Sequence, residues 1–298
     1  MIRLICALLL LTSGASAQEI ALTFDDAPTA DSPLLSGRAR TDRIIRTLQK
    51  ERVQAAFFVL TNQINDISKE RLDRYAKHGH MLANHSHSHR PIHEMGTLAY
   101  IADIHRADSI LNTYGAYVKW FRYPFLDEGK TVEVRDSIRT ALRELGLKNG
   151  YVTVDNYDWY LNHLAAEAKK ENKTINLPGL RQTYIEHIYN SIRFYDEAAR
   201  KHLGRSPKHV LLLHENDLTA LFLGDLIAYL KKNGWKIISP QDAYRDPIAV
   251  DIPDVLFNGQ GRVAAIARAK GTPARQLVQE SEDEEYLDKL VKDRKIFE

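Results

Sequence analysis

The chain has 298 residues, with 41 Lys and Arg against 39 Asp and Glu, a formal net charge of +2 at pH 7. So even a balance gives no compositional reason to expect a polyanionic partner such as nucleic acid. The length suits one large domain or two small ones. No Ser/Gly/Pro-rich run and no internal repeat interrupts it, so one catalytic-sized domain with a tail is expected.

Residues 1–17 read as an export signal. Arg3 supplies positive charge, 4–11 are all apolar, and Ala15-Ser16-Ala17 fits a small-residue cleavage site that would leave Gln18 as the new N-terminus. The apolar run is too short for a comfortable membrane span, and no later one is long enough. The expected destination is the periplasm or the medium. The only cysteine, Cys6, lies inside this segment. A metal site in the mature chain must therefore use His, Asp or Glu.

Beyond the signal, apolar strand-like runs alternate with helical patterns. A short apolar run over 19–24 leads into Asp25-Asp26-Ala27-Pro28. Thr41-Asp42 are placed to cap a helix carrying Ile44, Ile45, Leu48 and Val53. Residues 55–60 read as a strand covered on both faces. Ser68 is placed to start the next helix, and 81–84 form a short strand. Helices follow over 97–114 and 131–145, each stopped by a glycine. Strand signals cover 120–124, 151–155, 210–213 and 235–238. The stretch 161–202 is expected to be mainly helical, broken at Pro178-Gly179, and to lie beside the substrate groove. Helix 218–233 precedes the last strand. Residues 247–298 read as an extension: a tail on the domain or partly disordered, with 281–298 charged enough for an exposed helix.

This alternation predicts an α/β fold, a parallel sheet closed or nearly closed into a barrel with helices outside. Active sites of such folds gather at the C-terminal ends of the strands. Asp25, Asp26, His85, His89, Arg122, Asp158, Trp159 and His214 all fall at such ends. Within Gly79-His80-Met81-Leu82-Ala83-Asn84-His85-Ser86-His87-Ser88-His89, residues His85 and His89 are four apart. On a helical turn both imidazoles would share one face and one cation. Asp25 and Asp26 would point to opposite faces of a strand, and reach one site only where the strand ends and turns. One Asp and two His make a three-ligand set with open positions, suited to Zn²⁺ for hydrolysis or to Fe(II) for oxygen chemistry. A hydrolase also needs a base, which Asp25 could supply, and an acid. His214 could be that acid, although alone it reads first as a polar cap at a strand end.

Taken in order, these segments resemble the polysaccharide deacetylases of the NodB-homology type, carbohydrate esterase family 4, over about residues 20–240. Thr23-Phe24-Asp25-Asp26 is similar to the first family motif, which makes Asp25 the base and Asp26 a metal ligand. His85-Ser86-His87-Ser88-His89 is similar to the second, H-[ST]-x-x-H, and adds His85 and His89 as ligands. Phe121-Arg122-Tyr123-Pro124-Phe125 resembles the third, with Arg122 orienting Asp25, so favouring its ionised form, and the Phe125 backbone N–H at the oxyanion. Asp158-Trp159 resembles the fourth, Asp158 tuning the acid and Trp159 walling the groove. Leu212-Leu213-His214 resembles the fifth, L-x-H, with His214 as the acid and Leu212 lining an acetyl-methyl pocket. Ala27 stands where the family usually has Gly, and Tyr123 and Leu126 depart from its third motif. His87 and His93 receive no role.

The resemblance implies an irregular (β/α)7-like barrel over 18–246 and one divalent metal ion, zinc first, with cobalt, nickel or manganese as alternatives. The implied activity is removal of N- or O-acetyl groups from an exported, acetylated carbohydrate. A weakly active glycan-binding member of the same fold and a hydrolase of a non-sugar amide are the competing readings.

Overall fold

The computed structural model describes residues 17–298. The proposed export signal and Cys6 lie outside the described residues, apart from Ala17. Among the described residues no helix is long and apolar enough to cross a membrane.

Seven strands form one sheet among the described residues: β1 (Gln18–Ala27), β2 (Ala56–Val59), β3 (Met81–Asn84), β4 (Tyr117–Phe121), β5 (Lys148–Asn149), β6 (His209–His214) and β7 (Trp235–Ile238). Their order is β5-β4-β3-β2-β1-β6, with β7 pairing the start of β1, and every pairing is parallel. The helices between them are α1 (Gly37–Glu51), α2 (Asp66–Lys77), α3 (Ile92–Met95), α4 (Thr97–Leu111), α5 (Val132–Glu144), α6 (Asp158–Lys170), α7 (Leu177–Leu203) and α8 (Asp217–Lys232). After β7 come α9 (Pro240–Ala243), α10 (Gly261–Ala269) and α11 (Glu284–Asp293). This is the α/β fold with a parallel sheet that the alternation predicts, in the (β/α)7-like form that the resemblance implies. β2 and β3 are buried throughout, as strands covered on both faces must be.

The expected strand over 151–155 does not form. The chain there crosses from one sheet edge to the other and divides its hydrogen bonds between them. Gly150 N donates to Phe121 O (2.7 Å), whereas Thr153 N and Val154 N donate to Val210 O and only Val154 bridges Leu211. That crossing joins the two ends of the sheet and makes the barrel irregular.

Several helix starts differ from expectation, each because a polar side chain is used otherwise. α1 is capped by Ser36, since the Thr41 hydroxyl is taken by Arg71 (2.9 Å). α2 is capped by Asn65, and Ser68 is the third-residue partner of that capping box. Pro178 does not break a helix; it lies in the first turn of α7, where its missing N–H costs nothing, behind an Asn176 cap. The interruption lies between α6 and α7. α7 is also a core element. Leu180, Tyr184, Ile188, Ile192 and Tyr195 are buried, and the helix packs against α8 and α10.

Residues after 246 continue the core. Val263, Ile266, Leu287 and Ile296 are buried in the main hydrophobic cluster. α11 is charged on one side only, with Leu287 and Val291 turned inward. If this segment is integral to the fold, Leu287→Ala should cost about 2–4 kcal/mol in urea unfolding, as large-to-small changes in a packed core do. An unchanged midpoint would mean that the segment only rests on the surface.

Candidate active site

The C-terminal ends of β1, β3, β4 and β6 converge. Asp25 and Asp26 both belong to β1 rather than to the turn after it. The register with β2 slips between Phe24 and Ala27, and Asp26 adopts φ 66°. The irregularity re-aims one of two adjacent side chains, so both can serve one site without the strand ending. Asp tolerates this left-handed region better than most residues.

His85 and His89 are not on a helix. They frame a loop in which Ser86 (φ 73°) and His89 (φ 56°) take left-handed conformations. Three acceptors hold its shape. Asp103 Oδ2, from α4, accepts the backbone N–H of His87 (2.8 Å) and Ser88 (3.0 Å). Asn84 Oδ1 accepts Ser86 N (2.7 Å), and Ser86 Oγ accepts His89 N (3.0 Å). His87 turns away and pairs with Thr61 Oγ1 (2.8 Å).

Asp26 Oδ1 lies 3.6 Å from His85 Nε2 and 3.5 Å from His89 Nε2, and one ligand atom from each residue falls within 4.8 Å of the others. Asp26 Oδ1 is buried without a hydrogen-bond partner. An orphaned carboxylate oxygen facing two imidazole nitrogens suits a cation. His85 Nδ1 donates to Arg122 O (2.9 Å), which fixes the tautomer and leaves Nε2 bare towards Asp26. Burial, then His89 nearby, push the His85 imidazole down to about 3, so it stays neutral as a ligand must.

Arg122 is fully buried. Its guanidinium donates to Asp25 Oδ1 (2.5 Å), to Gly150 O (2.8 Å) and to the Tyr244 hydroxyl (3.1 Å), and lies 3.7 Å from the centre of the Phe58 ring. Burial nevertheless raises the Asp25 carboxyl above its ordinary range, outweighing the downward pull of Arg122 and His214. Arg122 thus acts in the expected direction without prevailing, and a raised carboxyl is a better proton acceptor.

Across the barrel, His214 Nδ1 donates to Asp158 Oδ1 (2.6 Å), while Asp158 Oδ2 accepts His214 N (3.1 Å) and Asn216 Nδ2 (2.9 Å). Burial alone would lower the His214 imidazole; Asp158, helped by Asp26 and Asp25, carries it up to about 10. The ring is therefore a loaded proton donor at neutral pH. His214 pairs in register with Asp25, and Leu212 with Thr23, so Leu212 sits two residues from His214 on the same sheet face. Phe125 (55% exposed) lies 4.6 Å from the His89 ring, and Trp159 (37% exposed) opens α6 one residue after Asp158. Together they leave aromatic surface at two sides of the site.

The structure thus gathers Asp25, Asp26, His85, His89, Arg122, Asp158 and His214, with Phe125, Trp159 and Leu212 around them. Sequence reasoning missed Asp103, Asn84, Asn216 and Tyr244. The first three are common polar residues whose partners are mostly backbone N–H groups, and Tyr244 lies outside every motif.

A family model described as polysaccharide deacetylase matches residues 13–150. A bifunctional xylanase/deacetylase from Pseudobutyrivibrio xylanivorans is 32% identical over 40% of this chain and 19% of its own. A peptidoglycan-N-acetylglucosamine deacetylase from Bacillus cereus is 31% identical over 36% of each chain. The aligned part thus spans well under two thirds of either relative. Among solved structures, the peptidoglycan deacetylase PdaC from Bacillus subtilis shares the fold, with a TM-score of 0.52 and 21% identity over 76% of this chain and 90% of that one. Residues 13–150 thus carry the sequence signature of the polysaccharide deacetylases, which the motifs resemble, and the fold is that of solved carbohydrate esterase family 4 members.

Proposed function

We propose that this chain is a metal-dependent hydrolase that removes acetyl groups from an exported carbohydrate. One observation carries the reading: a three-ligand cluster, Asp26, His85 and His89, lies beside a buried carboxylate fixed by Arg122, whose residue pairs in register with an imidazole bonded to Asp158. A divalent ion held by those three residues, zinc first by ligand type, would polarise the acetyl carbonyl and lower the pKa of a water.

The remaining work falls to the chain's own groups. Asp25 takes a proton from water as its oxygen attacks the acetyl carbon. The oxyanion that develops is assigned to the Phe125 backbone N–H. When the carbon–nitrogen or carbon–oxygen bond breaks, His214 gives its proton to the departing amine or alcohol. Acetate and the free sugar group are the products. Asp158 holds the imidazole in the donating orientation throughout, Leu212 is assigned to the acetyl methyl, and Trp159 to a sugar ring.

Substitutions at four residues test this reading. His85→Ala should lose both bound metal and acetate release from acetylated glycans, and a chelator should abolish the wild-type activity; unchanged metal content in the variant would remove His85 from the ligand set. Asp103→Ala should weaken metal affinity by about 10–100-fold in calorimetry, the usual scale for a group that orients ligands, and Asp103→Asn should recover part of it by keeping one acceptor oxygen. Equal affinity in Asp103→Ala would show that the histidine loop holds its shape unaided. Asp25→Asn should retain metal and lose most turnover on every substrate. His214→Ala should also retain metal but lose about 10²–10⁴-fold on an N-acetyl sugar and markedly less on a nitrophenyl ester, whose leaving group needs no proton. An equal loss on both substrates would take the acid role from His214.

A further inference from the structure

The segment 280–288 belongs to the extension beyond the barrel, yet it reaches the turn that carries Asp158. Ser281 O accepts the backbone N–H of Tyr157 (3.1 Å), one residue before Asp158. The Ser281 and Ser191 hydroxyls are hydrogen-bonded at 2.6 Å, both buried. The Glu282 carboxylate accepts the Tyr195 hydroxyl of α7, and Asp288 Oδ1 accepts the Tyr160 hydroxyl (3.0 Å). Four contacts therefore tie the extension to α7 and to both sides of Asp158-Trp159.

Glu282 is a costly residue to place there. It is buried, its second oxygen Oε2 has no partner, and its nearest strong charge effect falls on Asp155, which is also buried. Burial lifts Glu282 to about 7, and burial with the Glu282 charge lifts Asp155 well above the ordinary carboxylate range. Two buried carboxyls that feel each other's charge resist double ionisation. A segment with only a packing role would do as well with an apolar residue at this position.

Resting on the deacetylase reading above, we propose that residues 280–288 are a positioning element of the catalytic acid. Ser281 clamps the turn 155–158 from outside the barrel, and Glu282, bonded to Tyr195, anchors Ser281 against α7, so that Asp158 presents both carboxylate oxygens to His214. Asn156 completes the clamp from inside: its Nδ2 donates to Leu212 O (2.8 Å) and its Oδ1 accepts Asp158 N (3.0 Å). The turn is held between the β6 backbone and the extension. Glu282 is a positioning residue and touches neither substrate nor metal.

The test compares the full-length metal-loaded wild type with Glu282→Ala, Glu282→Gln and Tyr195→Phe. Glu282→Ala should slow hydrolysis of an N-acetyl sugar about tenfold or more, the scale of a small displacement of a catalytic group, while a nitrophenyl ester changes less than about twofold. The His214 imidazole, followed by NMR, should titrate lower in Glu282→Ala than in the wild type. Glu282→Gln keeps an acceptor for Tyr195 and should restore most of the activity; Tyr195→Phe should resemble Glu282→Ala in milder form. Equal losses on both substrates with an unmoved His214 titration would reduce the segment to a structural role and overturn the proposal. The imidazole titration needs no substrate, so it decides the clamp even if the deacetylase reading fails.

Discussion

A single buried guanidinium organises the centre of this protein. Arg122 has no access to water, and all three nitrogens of its planar fork donate, to a carboxylate, a carbonyl and a phenol, with an aromatic ring against its face. Each partner comes from a different part of the chain: Asp25 from β1, Gly150 from the crossing after β5, Tyr244 from the end of α9, Phe58 from β2. A lysine could not meet this geometry, since it offers one compact charge instead of a rigid set of donors. Removing either member of the Arg122–Asp25 pair would strand a buried charge, at a cost of about 3–5 kcal/mol. The residue that orients the proposed base therefore also locks four elements of the barrel together.

A second buried network supports the same face. Arg71 donates to both oxygens of Glu215 and to Thr29 O, and Arg40 pairs with Asp217 while donating to Thr29 O and Ala30 O. The loop after Asp26 is thus tied to the loop after His214. Such anchoring fits the local strain: of the eight non-glycine residues with positive φ among those described, Asp26, Ser86, His89, Phe125 and Leu126 all lie at the site. Conformations of this kind cost of order 1–3 kcal/mol each and persist only where the surroundings over-determine them.

The barrel was legible in the sequence because hydrophobic periodicity reports burial directly, and the strands covered on both faces, such as 56–59 and 81–84, carry the plainest signal. The grouping of acids and histidines was legible from their placement at strand ends. Their conformations were not. A four-residue spacing fits a helical turn and equally a loop with left-handed residues, and only the acceptors on Asn84, Ser86 and Asp103 select the loop. Two adjacent aspartates do not announce a register slip within a strand. The tail was misread because net charge hides a one-sided helix: Leu287 and Val291 are enough to bury α11 among many charged neighbours.

The position of β1 in the sheet has a consequence for how the protein comes into being. Asp26, His85 and His89 all lie within the first 89 residues, on β1 and in the loop that follows β3, which only local connections separate. β1 finds its other neighbour much later, and the Thr23 hydroxyl contacts a carbonyl 188 residues away. Contacts of that separation close slowly, after local ones. During synthesis the corner holding Asp26, His85 and His89 can take shape while the Asp158–His214 side is still unmade. Until β6 docks, β1 is left with an open edge, the feature that makes partly folded chains prone to aggregate. The proposed ligand set and the proposed proton donor are thus separated along the chain, and the last strands to join bring the two together and close the exposed edge in one event.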